Sequence, residues 1–169
     1  MSDPRTQSRF QVRLGWGAST PVTEGAHVLV WCDALPTGHE APAFGGAVLA
    51  GSTGNAAATA EWILALQESL GDRAVVAVVP AGTDDGGFAV EDLLAAGAVF
   101  DALAALGIDH SAPEAAAASA AFEGLRRATV HLTSASETGQ SVDPSVVATA
   151  RALNSEPAVR VLREFSFDA

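Results

Sequence analysis

Residues 73–107, RAVVAVVPAGTDDGGFAVEDLLAAGAVFDALAALG, contain the parts of one α/β unit. The run at 74–79 is continuous, apolar and rich in valine, which is typical of a parallel strand covered on both faces. Glycines and aspartates at 83–87 favour turns. From Val90 onward, apolar residues recur at helical spacing. The stretch therefore predicts a buried strand, a loop and a helix. Ligands of open α/β sheets bind beyond the carboxyl ends of strands, so residues 82–92 are the first place to expect chemistry.

The composition indicates one globular α/β domain. Of the 169 residues, 49% are apolar, which excludes a disordered chain. The length is sufficient for one core, and the sequence shows no clear division into two. Aromatic residues are few and alanine is abundant, so we expect a mostly parallel sheet flanked closely by Ala-rich helices. The domain should span residues 10–169, after a mobile polar tail at residues 1–9.

The charge excludes some partners and restricts others. The net charge is −11, and all nine basic residues are arginine, so a phosphate backbone would be repelled and nucleic-acid binding is disfavoured. An anionic substrate would need a divalent cation or a few well-placed arginines. The single Cys32 indicates a buried thiol in a reducing compartment. No apolar leader or span of about 18 residues is present, so we expect a cytoplasmic protein without membrane contact.

Further strands are expected around this unit. A half-exposed or edge strand is predicted at 10–14, a central strand at 28–32 and another strand at 46–50. The connection 36–42 is rich in turn residues and is predicted to be too short for a crossover between parallel neighbours. A helix at 56–70 follows, with Ser52 or Thr53 as its cap.

The C-terminal third is predicted to be mainly helical. Residues 111–114 have the form of a capping box before a helix that reaches about residue 125. Residues 129–133 are β-branched but continue from that helix, and we interpret them as helical. A turn at Gly139, a helix at 143–153 and a final strand within 158–167 complete the pattern.

Three carboxylates are candidates for acid–base or metal chemistry. Asp33 follows the strand at 28–32, and Glu91 and Asp92 begin the helix that follows the strand at 74–79. A few carboxylate oxygens with water are what Mg²⁺ prefers. The competing interpretation is that acidic residues in a first helical turn merely complement the helix dipole.

Several other site classes find no support. The sequence lacks a phosphate-binding loop of the Walker type, a dinucleotide fingerprint and a nucleophile elbow. Its histidines lack the paired spacing of a zinc site. Only His131 has apolar sequence neighbours, where a structural histidine is the usual explanation.

The motif VAVVPAGTDDGGFAVEDLLAAGAVFDALAALG at 76–107, with SAPEAAAASAAF at 111–122, resembles the second half of the 2-phosphosulfolactate phosphatase (ComB-like) family. The resemblance extends to GAVLAGSTGNAAATAEWI at 46–63 and SASETGQSVDPSVVATARALNSEPAVRVL at 134–162. The opening strands FQVRLGWG and HVLVWCDAL are also similar.

The resemblance implies an unusual α/β fold and a Mg²⁺-dependent phosphatase that hydrolyses a small phosphate monoester, a phosphorylated acid. It implies catalytic and metal-binding roles for Asp33, Glu91 and Asp92, with Mg²⁺ held by Asp33 together with Glu91 or Asp92. It also implies substrate-binding roles for Gly82, Asn55, Ser136 and Gly139.

The chain also departs from the family. Pro36, Thr37 and Gly38 stand where a Thr-rich segment is usual, and a large central block is absent between Leu35 and Gly46. Two hypotheses follow: a shortened, active phosphatase, or a degenerate member that binds a small ligand or a protein without turnover. Ala-rich helix faces make a homodimer a further candidate.

Overall fold

The computed structural model describes residues 3–167 as one sheet with helices packed on it. The strands are β1 (Val12–Leu14), β2 (Val28–Cys32), β3 (Ala47–Ala50), β4 (Val76–Pro80) and β5 (Arg160–Arg163). The helices are α1 (Ala56–Leu70), α2 (Val90–Ala105), α3 (Pro113–Leu125), α4 (Thr129–Ala135), α5 (Glu137–Ser141) and α6 (Pro144–Asn154). The predicted α/β class is confirmed.

The sheet is mostly parallel, in the order β1-β4-β2-β3-β5. The first four strands run parallel, and β5 is antiparallel to β3. Every residue of β4 is buried, and β4 lies between β1 and β2. The strand predicted at 74–79 is therefore internal, and its carboxyl end lies beside that of β2.

One face of the sheet is covered by α1, α2 and α3. Val30, Val78 and Leu49 lie in the same core cluster as residues of these helices. α2 and α3 approach so closely that a Cβ added at Gly97 would lie 2.3 Å from the carbonyl oxygen of Ala118. The expectation of close helix packing holds because small residues line this contact.

The other face is covered by loops. Leu29, Trp31 and Val79 form a second cluster there, against Ala41 and Phe44 from the connection between β2 and β3. Connections between parallel strands are right-handed, so two connections that run in the same direction across a sheet lie on the same face. The connections from β1 to β2 and from β2 to β3 run in the same direction and therefore share a face. The return from β3 to β4 places α1 on the opposite face.

The prediction that the connection after β2 is too short for a crossover is wrong. β2 and β3 pair in parallel, and residues 33–46 join them without a helix. An extended chain covers about 3.3 Å per residue, which is ample for returning along a strand as short as β2. The connection instead lies flat on the sheet.

The N-terminal segment also differs from expectation, although Met1 and Ser2 lie outside the described residues. Residues 3–9 are not a free tail: Pro4–Thr6 form a 3₁₀ turn with Thr6 buried. The side-chain amide of Gln7 donates to the carbonyl of Leu14 and accepts from its N–H, each at 2.9 Å. β1 is an edge strand, which is one of the two predicted alternatives, but it is buried throughout and not half exposed.

Several local predictions need correction. The helix after β3 has Asn55 at its N-cap, not Ser52 or Thr53. The predicted capping box at 111–114 does not form, because Ala112 is the cap and has no capping side chain. Gly139 lies inside α5 and is not in a turn. His131 is exposed.

Other predictions are confirmed. Residues 129–133 are helical, in α4, and Asp143 caps α6 by accepting a hydrogen bond from the N–H of Ser145. The final strand is shorter than the predicted segment. Among the residues that the structure describes, no helix has the length and apolar character needed to cross a membrane.

Candidate functional site

The first turn of α2 brings two acidic residues to the carboxyl edge of the sheet. β2 ends at Cys32, next to Asp33, and β4 ends at Pro80, shortly before Gly82. Glu91 and Asp92 are each only 2% exposed. Because their Cα positions differ by about 100° around the helix, the two side chains enter different surroundings.

Asp92 joins the loops that follow β2 and β4. One carboxyl oxygen accepts from the N–H of Ala34 at 2.7 Å, and the other accepts from the N–H of Gly82 at 2.9 Å. We call this arrangement the Asp92 junction. It satisfies two buried backbone donors and fixes both loops against α2.

Burial raises the pKa of Asp92 to about 8. The N–H groups of Ala34 and Gly82 oppose this rise, and the charges of Asp33 and Glu91 add to it. The junction therefore holds a proton near neutral pH. The same crowding, with burial as the main cause, raises the pKa of the Cys32 thiol well above its usual value, so this thiol is inert.

Asp33 is half buried beside the junction. Burial is the main cause of its raised pKa, with a smaller rise from the charge of Glu91 and an opposing effect of His39. His39 pairs with Asp84 at 2.9 Å and so links the β2–β3 connection to the loop after β4. Asp33 is thus close enough to Glu91 for their charges to interact.

Glu91 faces a cavity of about 60 Å³. Its Oε2 is buried and has no hydrogen-bond partner. We call this space the Glu91 cavity; it lies between α2, α4, α6 and the loops after β2 and β3. Its walls are formed by Ala34, Thr53, Ala95, Thr129, Val130, Thr133, Ser134, Val147, Arg151, Asn154 and Ser155. A buried carboxylate oxygen without a partner is costly, and it is satisfied when a cation or a donor occupies the cavity.

Two residues predicted to bind substrate are engaged within the loops. Asn55 is fully buried; its Oδ1 accepts from the N–H of Ser52 at 2.8 Å, and its Nδ2 donates to the carbonyl of Ala50 at 2.9 Å. Gly82 donates its N–H to Asp92 and adopts a φ of +81°, which favours glycine. Both residues shape the edge of the site.

Ser136 and Gly139 lie on α5. The Ser136 hydroxyl donates to the carbonyl of Thr133 and accepts from the N–H of Gly139 at 3.0 Å. A Cβ at Gly139 would lie 2.2 Å from the Thr133 carbonyl oxygen. These residues hold α5 against α4. The exposed side of α5 borders a separate depression of about 270 Å³, shared with the loop at 83–85.

The side chains at this site fit Mg²⁺ only if one or two carboxylates hold the ion. Mg²⁺ usually takes one or two carboxylates, with water and substrate oxygens completing its shell. The free oxygen of Glu91 and the nearby Asp33 suit that role, whereas both oxygens of Asp92 already accept from backbone N–H groups. Within residues 3–167, no three His, Cys, Asp or Glu side chains are gathered closely enough to hold one ion.

Sequence reasoning located the carboxylates but missed the residues of α4 and α6 that line the cavity. Arg151 and Asn154 of α6 line it, as do Thr129 and Thr133 of α4. Their spacings of three and four residues place each pair on one helix face. Nothing in the sequence shows that those faces turn toward Glu91.

The fold and this site define the class: an α/β protein with a cavity that is lined by a buried glutamate at the carboxyl edge of a mostly parallel sheet. A family profile described as 2-phosphosulpholactate phosphatase matches residues 39–148, and the chain belongs to this family. The matched stretch contains Glu91 and Asp92 but begins after Asp33. No curated protein sequence matches the chain. The family name indicates a phosphatase-like function.

Proposed function

We propose that the protein is a Mg²⁺-dependent phosphatase that hydrolyses the phosphate monoester of a small acid. The observation that carries the proposal is Glu91, a buried acidic residue that lines a cavity at the carboxyl edge of the sheet and whose Oε2 has no hydrogen-bond partner. Family membership supplies the reaction class. An acidic protein needs a cation to accept a phosphoryl group, and a buried carboxylate oxygen without a hydrogen-bond partner supports a metal-binding role for Glu91.

Glu91 and Asp33 are the residues that would hold the ion. Bound there, Mg²⁺ would neutralise phosphoryl charge and lower the pKa of an attacking water. Glu91 contributes a carboxylate whose position is fixed by the first turn of α2. Asp33 contributes a half-buried carboxyl group beside it.

Asp92 positions the site and does not bind the ion. Its two hydrogen bonds hold the loops after β2 and β4, so that Asp33 keeps its place relative to α2. The apolar side chains of Ala34, Ala95 and Val147 limit water in the cavity, which strengthens charge interactions there.

A non-enzymatic member that binds a small ligand is the second candidate. It is favoured by the absence, among the described residues, of a three-ligand cluster, and by the short connection at residues 33–46. Losing one preorganised donor costs about 10²–10³ in rate, so a site short of several donors could bind without turnover.

A phosphatase screen separates the two candidates. Phosphate monoesters of small acids are assayed with Mg²⁺ and with excess chelator, beside calorimetric titration of Mg²⁺. Turnover that chelation abolishes is the expected result. Mg²⁺ binding without turnover on any monoester would reject the enzyme and support the ligand-binding candidate.

Glu61→Gln, on the exposed surface of α1, is the matched control for Glu91→Gln. Both substitutions remove one carboxylate from a helix without changing its size. Only Glu91→Gln should abolish turnover and Mg²⁺ binding.

A further inference from the structure

The end of α6 is bonded to two loops at the carboxyl edge of the sheet. The Nδ2 of Asn154, the last residue of α6, donates to the carbonyl of Ala34, after β2, at 2.7 Å. Its own carbonyl accepts from the N–H of Gly54, after β3, at 2.9 Å. The last carbonyls of a helix have no partner within it, so the bond to Gly54 also satisfies the end of α6. Asn154 therefore joins α6 to two loops that are distant from it in the sequence.

The two contacts of Asn154 use different parts of the residue. The bond to Gly54 uses the backbone carbonyl, whereas the bond to Ala34 uses the carboxamide. The backbone contact is so close that a Cβ added at Gly54 would lie 2.3 Å from the carbonyl oxygen of Asn154. A substitution of the side chain therefore removes the bond to Ala34 and keeps the acceptor of Gly54.

Ala34 is held through both of its backbone groups. Its N–H donates to Asp92 of α2 at 2.7 Å, and its carbonyl accepts from Asn154 of α6 at 2.7 Å. Ala34 is buried, so these groups need partners within the protein. The Asp92 junction therefore fixes the loop after β2 from the side of α2 only, and Asn154 fixes it from α6.

The backbone around Asp33 is fixed before and after this residue. Before it, the carbonyl of Cys32 accepts from the N–H of Ala81, after β4, at 2.9 Å. After it, Ala34 is bonded to α2 and to α6. Ala34 also lines the Glu91 cavity. The carboxyl group of Asp33 is therefore attached to a stretch of backbone that has little freedom to move.

We infer that Asn154 is a positioning residue for Asp33, and that its carboxamide keeps the Asp33 carboxyl group where it can share a cation with Glu91. This inference rests on the proposed function, which assigns Mg²⁺ to these two carboxylates. Mg²⁺ requires near-octahedral geometry with ligands at about 2.1 Å, so a small shift of the loop weakens its binding. Removing a group that orients a metal ligand commonly costs about 10- to 100-fold in affinity or activity.

Two substitutions separate the hydrogen-bond donor from the bulk of the side chain. Asn154→Leu keeps a side chain of similar size but has no donor, and Asn154→Gln keeps a carboxamide on a longer side chain. Gln140→Leu is the matched control, because the Gln140 carboxamide also donates to a backbone carbonyl at 2.7 Å, that of Ser134. That bond joins α5 to α4 and does not involve the loop after β2.

Amide hydrogen exchange of the metal-free protein tests whether the side chain holds the loop. Asn154→Leu should speed exchange of the Ala34 N–H about tenfold and leave the Gly54 N–H protected, since the acceptor of Gly54 is retained. Unchanged protection of Ala34 would overturn the inference. Equal losses at both amides would also overturn it, because Asn154 would then hold α6 and not the loop.

Calorimetric titration of Mg²⁺ tests whether this position matters for the ion. Asn154→Leu should raise the Kd about 10- to 100-fold, Asn154→Gln should recover part of the loss, and Gln140→Leu should match wild type. An unchanged Kd in Asn154→Leu would show that its bond is only structural and would overturn the inference. An equal rise in Gln140→Leu would overturn it as well, because a general loss of stability would then explain the effect.

The outcomes distinguish this inference from the proposed function. If wild type binds Mg²⁺ and hydrolyses no monoester, while Asn154→Leu binds Mg²⁺ more weakly, the phosphatase is rejected and the role of Asn154 is kept. If both proteins hydrolyse 2-phosphoglycolate at equal, chelator-sensitive rates at Mg²⁺ concentrations below the wild-type Kd, the phosphatase is kept and this role is rejected. Failure of wild type to bind Mg²⁺ would reject both.

Discussion

The Glu91 cavity and the Asp92 junction are built from neighbouring residues of one helix turn, yet they differ in almost every respect. Glu91 lines a cavity, and its Oε2 is buried without a hydrogen-bond partner. Asp92 is equally buried, but each of its oxygens accepts from a backbone N–H. Glu91 therefore has a carboxylate oxygen without a partner, whereas both oxygens of Asp92 accept hydrogen bonds.

The difference shows that burial alone does not identify a functional carboxylate. Both residues are 2% exposed, and both lie at the N-terminal end of α2. What separates them is where their hydrogen-bonding capacity is used. A carboxylate that ties two loops together stabilises the site, whereas a residue that lines a cavity and has an unpartnered carboxylate oxygen can take part in binding.

The largest expected effect is on the rate, at the Glu91 cavity. Glu91→Gln should lower Mg²⁺-dependent hydrolysis at least about 10³-fold, because a metal supplies several kcal/mol of transition-state stabilisation. Its free energy of unfolding without metal should not fall, since the substitution replaces a buried carboxyl group whose Oε2 has no hydrogen-bond partner. Initial rates and urea unfolding measure the two effects. A rate within tenfold of wild type would contradict the assignment.

The next effect is a pH dependence at the Asp92 junction. The pKa of Asp92 is about 8 when folded and has a usual value of 3.8, so between these values the native state holds a proton that the unfolded state releases. Stability should therefore fall as pH rises through this window, by about 2–4 kcal/mol between roughly pH 5 and pH 8.

Asp92→Asn isolates this term, because asparagine does not titrate. Its amide cannot accept from both N–H groups, so the variant should be less stable than wild type by about 1–3 kcal/mol near pH 5. The difference in free energy of unfolding between wild type and Asp92→Asn should vanish or change sign near pH 8. Urea unfolding of chelated protein at several pH values checks this. A constant gap would refute the assigned ionisation.

The smallest effect concerns the backbone of the Asp92 junction. Gly82 and Gly86 have similar positive φ values, +81° and +77°. A Cβ at Gly82 would lie 2.7 Å from the Gly87 carbonyl oxygen, whereas a Cβ at Gly86 meets nothing within 4 Å. Gly82→Ala should therefore cost about 1–3 kcal/mol, and Gly86→Ala about 1 kcal/mol. Equal losses in thermal unfolding would show that the junction tolerates the clash.

The sequence predicted the elements whose signals are local. The valine run of β4, the helical spacing of α2 and the cap of α6 at Asp143 were all recognisable. Those signals survive because burial and capping act within a few residues of the chain. The carboxylates were located for the same reason, since they follow directly from strand and helix ends.

Predictions that depended on a distant contact were less successful. The N-terminal segment was expected to be free because it is polar, but the amide of Gln7 replaces a neighbouring strand beside Leu14. The connection at 33–46 was predicted from its length to be too short for a crossover. Its path depends instead on the packing of Ala41 and Phe44 against the face of the sheet that it covers.

The sequence by itself determined the α/β class, the order of the main elements and the position of the acidic residues at the carboxyl edge. Only the tertiary structure decided that Glu91 Oε2 has no partner, that Asp92 holds two loops together, and that residues of α4 and α6 line the same cavity as Glu91. Periodicity gives the face of a helix but not its neighbour. The packing of α4 against α2, and of α6 against α4, depends on all the contacts of the core at once, so no local pattern contains it.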